Sequence, residues 1–149
     1  MGRAARRWVL GLSTFTLVGV VAGVQGFLSG AFAPLVDDLQ DVLRLTGPVV
    51  PAVALAVLVG VPQLVVLMTA LRRAAGAPTV AVLGGALLAG WVAAQLPLVG
   101  WTSPVQWAFA AVGLAECVAG LRWRRSRDGR VRAAGTTTGT ARADRPRRS

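Results

Sequence analysis

The chain has 149 residues, 54% of them hydrophobic and 15% charged, where a soluble domain carries about 25% charged residues. Sixteen basic residues, all Arg, stand against six acidic ones for a formal net charge of +10, and there is no His. Imidazole acid–base catalysis, His-ligated haem and His-containing zinc sites are thereby excluded, and the single Cys117 allows neither an intrachain disulfide nor a Cys-x-x-Cys site. No metal site and no cofactor are expected.

In chain order, Arg3, Arg6 and Arg7 precede an apolar run over residues 8–33, and further runs cover 48–71, 78–99 and 104–121. A hydrocarbon core of about 30 Å needs about 20 apolar residues in a helix. Four transmembrane helices are therefore expected, an all-α four-helix bundle over residues 1–121. The first run, ending in Ala31-Phe32-Ala33, imitates a cleavable secretory signal. It is longer than the usual apolar stretch of about 7 to 15 residues, and Pro34 follows the cut, so it reads as a retained span. Arg72 and Arg73 link spans two and three and ten Arg follow span four, whereas only Arg44 lies on the other side. Positive residues near membrane ends stay in the cytoplasm, so a multi-pass protein of the cell membrane with both termini cytoplasmic is expected.

Residues 34–47 carry Leu35, Val36, Leu39, Val42 and Leu43 at spacings of three and four, opposite Asp37, Asp38, Asp41 and Arg44. This spacing predicts a short amphipathic helix lying in the outer interface. The three Asp lack the ligand spacing of a calcium loop and read as a solvated face.

Small residues three or four apart admit close helix approach. Gly19, Gly23, Gly26 and Gly30 form such a seam on span one, and Gly113, Cys117 and Gly120 on span four. Alanines and glycines at 52, 56, 60, 81, 84 and 85 do the same on spans two and three. The seams suit packing within the bundle, with a partner membrane protein or with a second copy. Cys117 reads as a small filler in its seam.

Polar residues inside the spans are the candidate chemistry, because an unpaired polar group in hydrocarbon is costly. Gln25, Gln95 and Gln106 fall toward the outer ends, Gln63 and Glu116 toward the inner ones. Pro62, with no amide proton, is expected to kink span two beside Gln63. Glu116, the one carboxylate within a span, shares a face with Gly113 and Gly120 and so looks into the bundle. Three roles are open to it: proton or cation handling, a reach to the interface with pairing to Arg72 or Arg73, or packing against Gln63 to set helix register.

Residues 122–149 carry ten Arg against Asp128 and Asp144 with few large apolar groups, so a disordered cytoplasmic tail is expected. Arg122, Arg124 and Arg125 would contact anionic lipid headgroups, with Trp123 anchoring the tail at the interface. No stacking or fold motif for specific nucleic-acid binding accompanies the charge.

The run Gly90-Trp91, Gln95, Gly100, Ser103, Gln106 and Gly113-Leu114 resembles a pattern near the end of small four-span membrane proteins of high-GC actinobacteria, a group similar to the DoxX-like membrane families. The absence of Lys, Ile, Asn and Tyr fits a high-GC source. The resemblance implies a four-span helical fold, and in some relatives an association with quinone-linked redox systems, for which this chain carries no cofactor ligand. Where the relatives place an acid in span three, Gln95 stands here. An accessory or structural membrane protein acting by helix packing is the leading expectation, and a small transporter using Glu116 and Gln63 the alternative. Enzymatic activity is not expected, since no nucleophile is paired with a base.

Overall fold

The computed structural model describes residues 2–33, 36, 47–99 and 104–143. They form four helices, α1 (Gly2–Leu28), α2 (Val49–Leu71), α3 (Ala77–Val99) and α4 (Pro104–Ala143), with no strand among the described residues. All four contain stretches long and apolar enough to cross a membrane. Large apolar side chains point outward along the bundle, including Val18, Leu83 and Leu114, each 59% or more exposed. A bundle in water would bury such groups; a bundle in lipid presents them.

Each helix end has a local cause. α1 stops at Leu28 rather than near residue 33, because Gly30 adopts a left-handed φ of +78° and its N–H turns back to the Phe27 carbonyl. α2 stops at Leu71 in the same fashion with Arg73 at φ +53°. The N–H of Arg73 bonds Ala70 O and that of Ala74 bonds Thr69 O, a Schellman arrangement without its usual glycine. The Gly76 carbonyl then accepts from Thr79 and Val80 and starts α3.

Pro62 stands directly after an irregular turn of the helix. The helix widens into a π turn over Ala56–Gly60, in which the Val61 N–H reaches back five residues to Ala56 O. One extra residue in the turn absorbs the missing proline amide while the helix continues into Val61–Leu71.

α4 also departs from expectation, for it continues as helix through Arg122 to Ala143 where composition argues for a disordered tail. The local reason is visible up to Gly129: Trp123 is buried, and Arg127 stacks on it at 5.3 Å while donating to the carbonyls of Arg73, Ala74 and Ala75. Arg and Ala, good helix formers, favour its continuation to Ala134, whereas the Gly and Thr of residues 135–140 do not explain the helix beyond that point. The expected interfacial helix falls on residues 34–47, of which 34, 35 and 37–46 lie outside the described residues.

Two apolar layers hold the four helices. One gathers Val9, Val66, Ala70, Ala77, Ala81, Ala119 and Trp123 at the arginine-rich end. The other joins Val20, Val59 and Leu88 farther along, with Trp91 and Phe109 against them. α3 and α4 make the closest approach: a Cβ on Gly85 would lie 2.5 Å from Gly113 O, and one on Gly113 would lie 2.8 Å from Gly85 O.

Candidate functional site

Between the two layers lies a polar one. Ser13 sits between Val9 and Val20 along α1, Gln63 between Val59 and Val66 along α2, and Glu116 between Val112 and Ala119 along α4. All three polar side chains are buried, Ser13 and Glu116 at 0% exposure and Gln63 at 1%. The Ser13 hydroxyl donates to Glu116 Oε1 at 2.6 Å, and Gln63 Nε2 donates to Glu116 Oε2 at 2.8 Å. Gln63 Nε2 also lies 3.5 Å from the Gly84 carbonyl of α3, so the cluster touches all four helices. A carboxylate is acceptor-only, and both of its neighbours donate.

The geometry follows from the helices. Glu116 is six residues before Arg122 and Ser13 six residues after Arg7, which places both about 9 Å along their helices from the arginines at about 1.5 Å per residue. The π turn presents Gln63 inward. Gly84 leaves room beside the amide, since a Cβ there would meet the Val66 side chain and stand 3.8 Å from Gln63 Nε2. Thr16, on the same buried face of α1 as Ser13, spends its hydroxyl on the Leu12 carbonyl within the helix.

The structure thus brings Glu116 and Gln63 into direct contact and draws in Ser13, which the sequence reading passed over. Pairing of Glu116 with Arg72 or Arg73, or a reach to the interface, does not occur. Glu116 has no exposed surface, it forms no ion pair among the described residues, and Arg72 and Arg73 are exposed. The arginines instead serve carbonyls: Arg6 Nε donates to Ala70 O at 2.9 Å, and Arg127 closes the loop after α2.

The glycine seam on span one divides in the structure. Gly19 receives the Phe109 ring of α4, which would be 2.5 Å from a Cβ, and Gly23 receives Leu55 of α2 at 2.7 Å. Gly26 receives Phe32, a contact within the same connection rather than between spans. Gly30 has nothing within 4 Å among the described residues and is a helix terminator, which corrects its assignment to packing. Gly113 and Gly120 do pack, Gly120 against Pro78 and Val82 of α3. The Cys117 thiol, partly buried in that seam, donates to Val82 O at 3.3 Å. Arg122, Arg124 and Arg125 are exposed, but Trp123 is not at a lipid-facing position. It lies seven residues after Glu116 and four after Ala119, two helical spacings that return it to the inward face.

Gln25 is exposed near the other end of α1, beside an open apolar groove of about 620 Å³ lined by Val20, Val24, Leu28 and Ala56. The groove does not reach the Glu116 cluster. Among the described residues no group of three or more His, Cys, Asp or Glu is placed to hold a metal.

The fold and cluster define an all-α, four-helix membrane-type bundle with a polar layer buried between two apolar ones. Comparison with protein-family models, with curated proteins and with solved structures finds no match.

Proposed function

We propose that this chain is an accessory component of the cell membrane that acts by helix packing against a partner membrane protein or a second copy of itself. The observation that carries this reading is the destination of the buried chemistry: both oxygens of Glu116 are bound to other helices of the bundle. A carboxylate so engaged holds α1, α2 and α4 in register. The side of α3 away from the bundle presents Ala86, Gly90 and Ala94 four residues apart, with open space at Gly90, a geometry that suits close approach of a further helix. The exposed Arg122, Arg124 and Arg125 suit anionic headgroups. No specific nucleic-acid partner is part of this role.

Affinity isolation of the tagged protein from native membranes should recover a stoichiometric partner or a homo-oligomer, and Gly90→Leu should reduce that recovery. Recovery of a lone monomer would remove the reading. The second reading, a small transporter built on Glu116 and Gln63, draws support from one observation, the buried Gln63 Oε1 without a hydrogen-bond partner among the described residues. It predicts ion flux in liposomes that Glu116→Gln abolishes.

The orientation proposed is that of both termini in the cytoplasm. In a Cys117→Ala background, a cysteine at Asp38 should react with an impermeant thiol reagent applied to intact cells, and one at Thr137 should not. The opposite labelling would invert the topology.

A further inference from the structure

Glu116 is wholly buried within a span and accepts from two uncharged donors, Ser13 and Gln63, with no cationic side chain on it among the described residues. No helix packed against it supplies one. On α1, Arg6 donates to Ala70 O while Arg3 and Arg7 are exposed. Arg72 and Arg73 at the end of α2 are exposed, and α3 contains no ionisable residue. On α4, the Cys117 thiol donates to Val82 O, Arg122, Arg124 and Arg125 are exposed, and Arg127 serves the loop after α2. A carboxylate so isolated in apolar surroundings discharges by taking up a proton rather than staying ionised.

A second observation concerns the sense of the hydrogen bonds. Gln63 Oε1 is a buried acceptor that receives no donor among the described residues while Nε2 faces Glu116. A proton on Glu116 Oε2 changes which end of the amide belongs there. Turning the amide over exchanges its oxygen and nitrogen at nearly the same places, so Oε1 takes the position 2.8 Å from Glu116 Oε2, a hydrogen-bond distance for a hydroxyl donor. The contact given up, from Nε2 to Gly84 O, is the long one at 3.5 Å. Ser13 keeps its bond to Glu116 Oε1, now the carbonyl oxygen of the acid. A proton on Oε1 would leave Gln63 Oε1 without a donor, and a water molecule on Gln63 Oε1 would leave the charge in place.

We propose that the Ser13–Gln63–Glu116 layer is a proton-binding site, in which Glu116 is a neutral acid at neutral pH, donating from Oε2 to Gln63 Oε1 and accepting from Ser13 at Oε1. The layer then runs as one directed chain of hydrogen bonds, from Ser13 through Glu116 to Gln63, and joins α1, α4 and α2 without a net charge. Because the unfolded chain ionises Glu116 at neutral pH, the bundle takes up one proton as it forms. Its stability is therefore fullest in acid and declines as the pH rises, by about tenfold in the folding constant per pH unit. The site goes beyond the packing role: protonation is read on the isolated chain and packing on the recovery of a partner, so either can fail alone.

Glu116 is the only glutamate in the sequence, so the unmodified chain reports on it. Full-length protein made by cell-free synthesis with glutamate isotope-labelled at the side-chain carboxyl carbon, and reconstituted in lipid nanodiscs, should show the magnetic resonance signal of a neutral acid at neutral pH. That signal should convert to the carboxylate form only in alkali. In a Cys117→Ala background, which keeps the neighbouring thiol out of the titration, the unfolding temperature should fall as the pH rises. Glu116→Gln, the uncharged isostere of the neutral acid, should remove that fall. Should this variant fail to fold, the carboxyl signal of the unmodified chain still decides. A carboxylate signal at neutral pH would overturn the proposal, whether a bound cation or water meets the charge, and so would a pH dependence of stability that folded Glu116→Gln leaves unchanged.

Discussion

Gly85→Leu should abolish the folded bundle, while Gly90→Leu, five residues along the same helix, should leave the isolated protein folded. A Cβ at position 85 would lie 2.5 Å from Gly113 O and 2.8 Å from the Cys117 backbone nitrogen. Those neighbours are main chain and cannot rotate aside, so α3 and α4 must separate along the seam that includes Gly113 and Gly120. Overpacking a core commonly costs about 1 to 3 kcal/mol when side chains can adjust, and here the helices themselves must move. A Cβ at position 90 meets nothing within 4 Å among the described residues, and replacing glycine within a helix recovers about 1 kcal/mol of backbone propensity. Comparing the two variants separates packing from propensity, because both exchange the same residues in one helix. Thermal unfolding in nanodiscs, followed by circular dichroism and by elution profile, reads the difference. Equal stability of the two variants would mean that α3 and α4 do not meet at Gly85.

The four-helix architecture is legible in the sequence because membrane-length apolar runs and arginine placement depend on composition summed over many residues. The helix ends are less so. α1 closes at Gly30 through a single left-handed residue, and the apolar Ala31 and Phe32 beyond it carry no sign that the helix has ended. Trp123 reads as an interfacial anchor when judged by its Arg neighbours. Its inward position depends on angular phase from Ala119 and Glu116, and through that phase it enters the core with Val9 and Val66.

For the site, Glu116 and Gln63 stand out as polar residues in apolar runs, whereas Ser13 is common enough in membrane helices to escape notice. A usable signal was present: Ser13 and Glu116 are equally far from the arginines that bound their apolar runs, Arg7 and Arg122, six residues in each case, so an up-and-down bundle sets them at one depth. The orphaned Gln63 Oε1 depends on which end of the amide faces Glu116, a matter of side-chain rotation that no pattern of residue types encodes.

Glu116→Gln should preserve the folded bundle and Glu116→Leu should not, and the contrast rests on counting donors and acceptors. In the glutamine variant, the new Oε1 can accept from Gln63 Nε2 while the new Nε2 donates to Ser13 Oγ, since a hydroxyl can reverse its role. Each polar contact survives in kind, so the cost should stay within about 1 kcal/mol, the net worth of one ordinary hydrogen bond. In the leucine variant Ser13 loses its acceptor and Gln63 Nε2 keeps only the long 3.5 Å contact to the Gly84 carbonyl, and both side chains are enclosed between the Val9–Val66 layer and the Val20–Val59 layer. Burying an unsatisfied polar group costs about 1 to 3 kcal/mol, so one stranded hydroxyl and one weakened amide give a loss of about 1 to 5 kcal/mol, reduced where Ser13 turns to a carbonyl of its own helix as Thr16 already does. Ser13→Ala together with Glu116→Leu removes one of the stranded donors and should recover part of the loss. Recovery in that double variant would locate the damage in the hydrogen-bond layer, while equal stability of Glu116→Leu and Glu116→Gln would show that the layer does not set helix register.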